Sequence, residues 1–421
     1  MKLNQSEYEN LIITDYNFRV PLDYGSQNGE NISIFVRRVS RKENSKKSMP
    51  CLIFFQGGPG YESPRPLSDS GWIKTASEVY DVILIDQRGT GLSSPISSES
   101  VLNMSDNDIA EYLTFFRADN IIKDAELFRK KLIGNKKWSV LGQSFGGFCA
   151  MTYLSFYPES LEKVFITGGI PPLKAHPDDI YRATYQRVLN KNKQFYKLFP
   201  NARLNAKRIG DYLDKNNVQL PNGDILSVKR FQQLGLNLGF SDGMATLNFL
   251  FERAFVNDKL SHYFLKQVLM MQTFDTNPLF TVLHEACYAQ GFSTEWSAQR
   301  ILNEYSEFDY NENAEFFFTG EMLYPWMLDD YSSLKPFKKA ANIIAHKKDW
   351  PVLYQEDVLE QNKVPVAAAV YTNDMYVDRE FSIKLAEKIP NMNIWETNLY
   401  EHNALRSNGK KVLDSLFKRI S

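Results

Sequence analysis

The segment Gly142-Gln143-Ser144-Phe145-Gly146 holds a serine between two glycines, each two residues away. A serine hydroxyl attacks a carbonyl only when a base removes its proton and the backbone presents it to the substrate. A G-x-S-x-G turn does the second task, because its glycines permit a tight strand-to-helix reversal that leaves the hydroxyl at the edge of a sheet. Such a turn also arises by chance around an idle serine. Here an apolar strand pattern (138–141) precedes it and a helical pattern (148–156) follows. That context makes Ser144 the candidate nucleophile.

The matching base is a histidine, and the chain has five. Where a strand-turn-helix serine is used, the partners follow in the order Ser, Asp or Glu, His. His176 leaves no room for an acid before it, and His262, His284 and His346 fall in a long helical stretch. His402 follows the last strand pattern, in the loop Glu401-His402-Asn403, and is the candidate base. The acid orients the imidazole and stabilises its charged form. Asp374 stands three residues after the strand pattern ending at Tyr371, with Asp378 as its near competitor; loop position favours Asp374. A developing oxyanion needs N–H donors, each worth about 3–4 kcal/mol. Phe145 N–H, directly after the nucleophile, and Gly58 N–H, in the loop Gly57-Gly58-Pro59-Gly60, are the candidates.

These residues need a scaffold of buried strands. Short apolar runs at 51–55 and 82–85 close on the glycine turns GGPG and DQRG, the pattern of strands covered on both faces. Residues 119–132 carry apolar positions at helical spacing, with acids early and bases late, which suits a helix dipole. Strand patterns recur at 31–40, 164–167, 364–371 and 393–396, and an amphipathic helix closes the chain at 410–420. The alternation predicts an α/β fold: a mostly parallel, doubly wound sheet of the α/β-hydrolase type. Between 173 and 350 the texture turns helical and aromatic, so the expected division is a core of 1–172 and 351–421 with a helical cap inserted at 173–350.

Bulk properties narrow the function classes. With 421 residues, 43% hydrophobic and 24% charged, the chain buries a large core. A formal net charge of −1 gives no global field for nucleic acid or an anionic membrane. Cys51, Cys149 and Cys287 lie far apart without metal-ligand spacing, which argues against a secreted disulfide scaffold, and the apolar runs around Cys51 and Cys149 suggest buried structural thiols. The first residues lack an apolar signal core and no stretch reads as a membrane span, so a cytoplasmic location is expected. The chemistry requires no metal or organic cofactor.

The combination of GGPG at 57–60, Asp86-Gln87-Arg88-Gly89-Thr90-Gly91-Leu92-Ser93, Gly142-Gln143-Ser144-Phe145-Gly146-Gly147 and Asp374-Met375-Tyr376-Val377-Asp378 resembles the proline iminopeptidases, in their longer form. The resemblance runs from the first strand patterns to His402. It implies release of N-terminal proline from peptides through an acyl-enzyme, a Ser144–Asp374–His402 triad, and a cap over the site. Gln56 departs from the histidine that shorter members commonly carry before GGPG, which bears on substrate access rather than on the triad. An enzyme of this kind binds a cationic N-terminus, and acidic groups near the nucleophile do that by Coulomb attraction. Glu285 and Glu321 resemble the family's acidic positions, and the resemblance implies them as amine ligands. Tyr288, Phe292, Trp296, Phe316-Phe317-Phe318 and Trp326 are aromatics available for a proline-sized slot. The implied partner is a peptide with a free N-terminal proline; self-association into a homo-oligomer stays open. Two other readings fit the same elements: an esterase or lipase for small esters, and a non-catalytic binding protein on the same fold.

Overall fold

The apolar runs become the centre of one sheet in the computed structural model, which describes residues 1–26 and 29–420. Its strands are β1 (Lys2–Tyr8), β2 (Leu11–Pro21), β3 (Asn31–Arg41), β4 (Cys51–Phe55), β5 (Asp81–Ile85), β6 (Trp138–Gln143) and β7 (Leu161–Thr167). A small ribbon of β8 (Phe255–Val256) and β9 (Lys259–Leu260) stands apart, and β10 (Val366–Tyr371) and β11 (Met392–Thr397) complete the sheet. The strand order is β1-β2-β3-β5-β4-β6-β7-β10-β11. Pairing is antiparallel from β1 through β3 to β5 and parallel from β5 to β11. This is the mostly parallel sheet of an α/β fold.

Alternate side chains of the central strands feed two cores, as the period-2 geometry of strands requires. Leu52 and Phe54 of β4 join Trp72 and the helix Ala404–Phe417 on one face. Cys51, Ile53 and Phe55 join Phe128, Cys149 and Met151 on the other. The helix Phe145–Phe156 is buried on nearly all sides, which explains a sequence of FGGFCAMTYLSF with almost no polar face. The expected helix at 148–156 starts three residues earlier, directly after Ser144. From Pro177 to His346 the elements are helices, short turns of 3-10 helix and the β8–β9 ribbon. Their core is continuous with the sheet: Tyr181, Tyr185, Phe231 and Phe318 belong to the same apolar cluster as Phe55 and Val140. Among the described residues no helix is long and apolar enough to cross a membrane.

The DQRGTGLS segment is a staple rather than a site. Arg88, fully buried, makes a bidentate pair with Asp124 at 2.7 and 2.8 Å, and its Nη1 donates to the carbonyls of Leu22 and Phe115. Asp86 accepts two bonds from Arg65, both at 2.7 Å, and the backbone N–H groups of Ser63 and Leu92. A buried ion pair offsets its desolvation only when the remaining donors are satisfied in this way. The segment thereby pins the loop after β5 beside the loop after β4.

Candidate active site

β6 delivers Ser144 to the end of the sheet, where its backbone adopts φ 55° and ψ −125°. A non-glycine residue at positive φ costs on the order of 1–3 kcal/mol and persists only where the surroundings enforce it. The enforcement is visible. Ser144 N–H donates to the Thr167 carbonyl at 3.0 Å and its own carbonyl accepts from Gly147 N–H at 2.7 Å. A Cβ on Gly146 would collide with the Phe55 carbonyl, and one on Gly142 with the Gly146 carbonyl. The glycines of the motif are therefore required by close backbone approach.

His402 and Asp374 meet 28 residues apart in sequence. His402 Nδ1 lies 2.7 Å from Asp374 Oδ2, and both side chains are buried. The other carboxylate oxygen of Asp374 accepts the backbone N–H groups of Tyr376 and Val377 at 2.8 and 3.1 Å, so the acid is held from both ends. Burial opposes a charge on His402, but the adjacent Asp374 carboxylate outweighs it, with Glu321 and Glu401 adding, and the imidazole pKa is raised. Tyr376 covers the ring at 4.4 Å between centroids. Asp378, the competing acid, is engaged elsewhere: it caps the helix Arg379–Ala386 and pairs with Arg187 at 2.9 Å.

Ser144 and His402 line one cavity of about 630 Å³, together with Gly57, Gly58, Glu321 and Tyr376. The GGPG loop packs against the nucleophile, since a Cβ on Gly57 would stand 3.0 Å from Ser144 Cβ. Phe145 opens the helix after Ser144, leaving its N–H without an intrahelical acceptor.

The two candidate glutamates separate. Glu321 faces the cavity, and burial raises its carboxyl pKa to about 8; a charge on His402 works against that rise and Asp374 adds to it. His284 Nε2 stands 4.0 Å from Glu321, too far for a hydrogen bond. Burial lowers the His284 pKa to about 4, so this imidazole brings no charge to Glu321 at neutral pH. Glu285 is not brought to the cavity wall. Its carboxylate accepts the N–H groups of Ser297 and Ala298 at 3.0 and 2.8 Å, at the start of the helix Ser297–Leu302. Buried there, its pKa is pushed up to about 7, with those bonds opposing. The structure thus does not bring Glu285 together with Glu321 on the cavity lining; its oxygens sit on the first N–H groups of a helix.

The aromatic walls also differ from expectation. Tyr61, Phe240, Phe280 and Tyr376 line the cavity, whereas Phe316 and Phe318 pack with Phe231 and Phe251 inside the helical segment. Tyr288 stacks edge-on against Phe148 and His284. Tyr376 sits inside the Asp374–Asp378 motif, so its position was readable; Phe240 and Phe280 carry no local signal. Helix Pro177–Leu198 fastens the helical segment to the acid and base loops, through Arg187–Asp378 and Lys191–Glu401 one turn apart. Asn403, beside the base, accepts from Ser241 N–H and Oγ at 3.0 and 3.1 Å.

Residues 50–295 match the family model of the α/β-hydrolase fold. Over 402 residues the chain is 46% identical to a proline iminopeptidase of Aeromonas sobria, covering 95% of each chain. Over 417 residues it is 34% identical to a proline iminopeptidase of Aspergillus aculeatus, covering 96% of this chain and 92% of that one. A solved proline iminopeptidase of Mycobacterium smegmatis aligns at 14% identity and a TM-score of 0.46, over 96% of this chain and 98% of its own. With near-complete coverage by such relatives, this chain belongs to the proline iminopeptidases of the α/β-hydrolase fold.

Proposed function

We propose that the protein is a serine exopeptidase that releases N-terminal proline from peptides through an acyl-enzyme on Ser144. The observation that carries the reading is one cavity joining Ser144, the His402–Asp374 pair and the carboxyl of Glu321. His402 takes the Ser144 proton as the hydroxyl attacks the prolyl carbonyl, and Asp374 holds the imidazole in the required tautomer. The oxyanion sits between the N–H groups of Gly58 and Phe145. His402 then protonates the departing amine, and water, activated by the same imidazole, frees proline. Glu321 receives the secondary ammonium of the substrate, which sets the scissile bond one residue from the chain end. A neutral ester gains nothing from that acid, so the esterase reading is the weaker one.

In this reading residues 173–350 act as a cap over a core of 1–172 and 351–421. A helical insertion between β7 and β10 supplies Glu321, Phe240 and Phe280 to the cavity. Three buried free thiols, Cys51, Cys149 and Cys287, fit a reducing, cytoplasmic setting. The test is chromophore release from a proline anilide and from its N-blocked analogue. Hydrolysis of the free form alone is expected; equal rates on both would remove the aminopeptidase reading and leave a serine hydrolase.

A further inference from the structure

The cavity is lined by groups of opposite charge: a half-buried acid, Glu321, and an exposed base, Arg406, beside His402. Two arginines line the cavity, and they differ in what they already hold. Arg65 is neutralised by a bidentate bond to Asp86 and a further one to Glu62. For Arg406, no carboxylate partner occurs among the described residues; its guanidinium lies over the Phe240 ring, 5.2 Å from the centroid. The neighbouring acid Glu401 is taken by Lys191.

Arg406 lies in the short helical turn 404–407, which the non-helical backbone of Asn408 separates from the rest of Ala404–Phe417. Stacking on a ring occupies the face of a guanidinium and leaves its in-plane N–H fork free for a carboxylate. The ring in question is part of the site: Phe240 stacks on Tyr376 at 5.6 Å and 20°, and Tyr376 covers His402. Arg406 is thus held at a set place relative to the base.

We infer that Arg406 binds the C-terminal carboxylate of short peptide substrates, so that the cavity selects zwitterionic prolyl peptides of a particular length. This inference rests on the exopeptidase reading above. The ammonium end pairs with Glu321, the scissile carbonyl meets Ser144, and the carboxylate closes on Arg406. Longer peptides pass the mouth without that bond.

The test uses prolyl peptides of two to five residues, each as the free acid and as the C-terminal amide, and compares kcat/KM. For the wild type the acid-to-amide ratio is expected to peak at one length, at about tenfold or more. Arg406→Gln should bring the ratio to about 1 at that length, and Arg406→Lys should keep part of it. A wild-type ratio near 1 at every length overturns the inference, as does a peak that survives Arg406→Gln. In either of those results cleavage of the amides leaves the exopeptidase reading intact. Failure to cleave any free-amine prolyl peptide overturns both.

Discussion

Replacing Glu321 by glutamine separates the cost of a buried acid from its use. Burial raises this carboxyl from its ordinary 4.5 to about 8, so between those values the folded protein holds a proton that the unfolded chain has lost. Stability then falls as pH rises through that window, because the native state binds more protons. The full shift corresponds to a ceiling of about 5 kcal/mol. The side chain keeps 18% of its surface exposed, and solvent relaxation leaves about 1–3 kcal/mol as the expected effect. Glutamine copies the neutral acid. Glu321→Gln should therefore match the wild type near pH 5 and exceed it at pH 9. At about 0.9 kcal/mol per degree for a chain of this length, the gap is about 1–3 °C in Tm. Activity should move the other way. Removing one partner of a buried ammonium–carboxylate pair costs about 3–5 kcal/mol, a fall of about 10²–10⁴-fold in kcat/KM for a free-amine proline anilide. Below pH 8 the wild type must release a proton from Glu321 to bind the ammonium, so its KM should fall from pH 6 to 8, while the variant stays flat. Melting curves and Michaelis kinetics across this range decide the matter. A Tm gap independent of pH, or unchanged kinetics on the free amine, would refute the placement of Glu321 as the amine ligand.

Asp374→Asn should keep the two bonds from Tyr376 and Val377 N–H but leave His402 in the wrong tautomer; kcat is expected to fall about 10⁴-fold with little change in melting temperature. Gly168 has φ +55°, and a Cβ there would stand 3.1 Å from His402 Nδ1 and 3.3 Å from Asp374 Oδ2. Gly168→Ala should cost about 1–2 kcal/mol in denaturant titration and lower kcat about 10–100-fold by displacing the pair; an unaffected kcat would show that the pair tolerates the shift. Asp124→Ala strips Arg88 of its buried partner and should destabilise by about 3–5 kcal/mol, read as a Tm about 3–5 °C lower, whereas loss of only a few tenths of a kcal/mol would mean that the carbonyls around Arg88 suffice.

Ser144, His402 and Asp374 were legible because each is announced by local context: a strand before, a helix or loop after, and a chain order that the fold imposes. The structure also places the central strands close to the apolar runs, with β6 ending at Gln143 rather than Leu141. The β1–β2 hairpin was not legible. KLNQSEY is exposed throughout, and its strand is made by backbone bonds to β2 rather than by an apolar period. The surroundings of Glu285 were not legible for a related reason. Whether a carboxylate meets an amine or caps a helix depends on where Ser297 and Ala298 arrive, which no spacing around Glu285 reports. The same holds for the aromatic wall, since Phe240 reaches Tyr376 only through the docking of a helical segment 136 residues upstream. Arg406 stands four residues after the base, yet its meaning needs the list of partners that Arg65 has and it lacks.

The central claim is covalent chemistry on Ser144, and trapping tests it most directly. Rapid acid quench during turnover of a prolyl ester, followed by intact mass and peptide mapping, should find a prolyl adduct on the peptide that contains Gly142-Gln143-Ser144-Phe145-Gly146, and none in Ser144→Ala. Turnover by Ser144→Ala at the wild-type rate, or an adduct mapped to a different residue, would contradict the account.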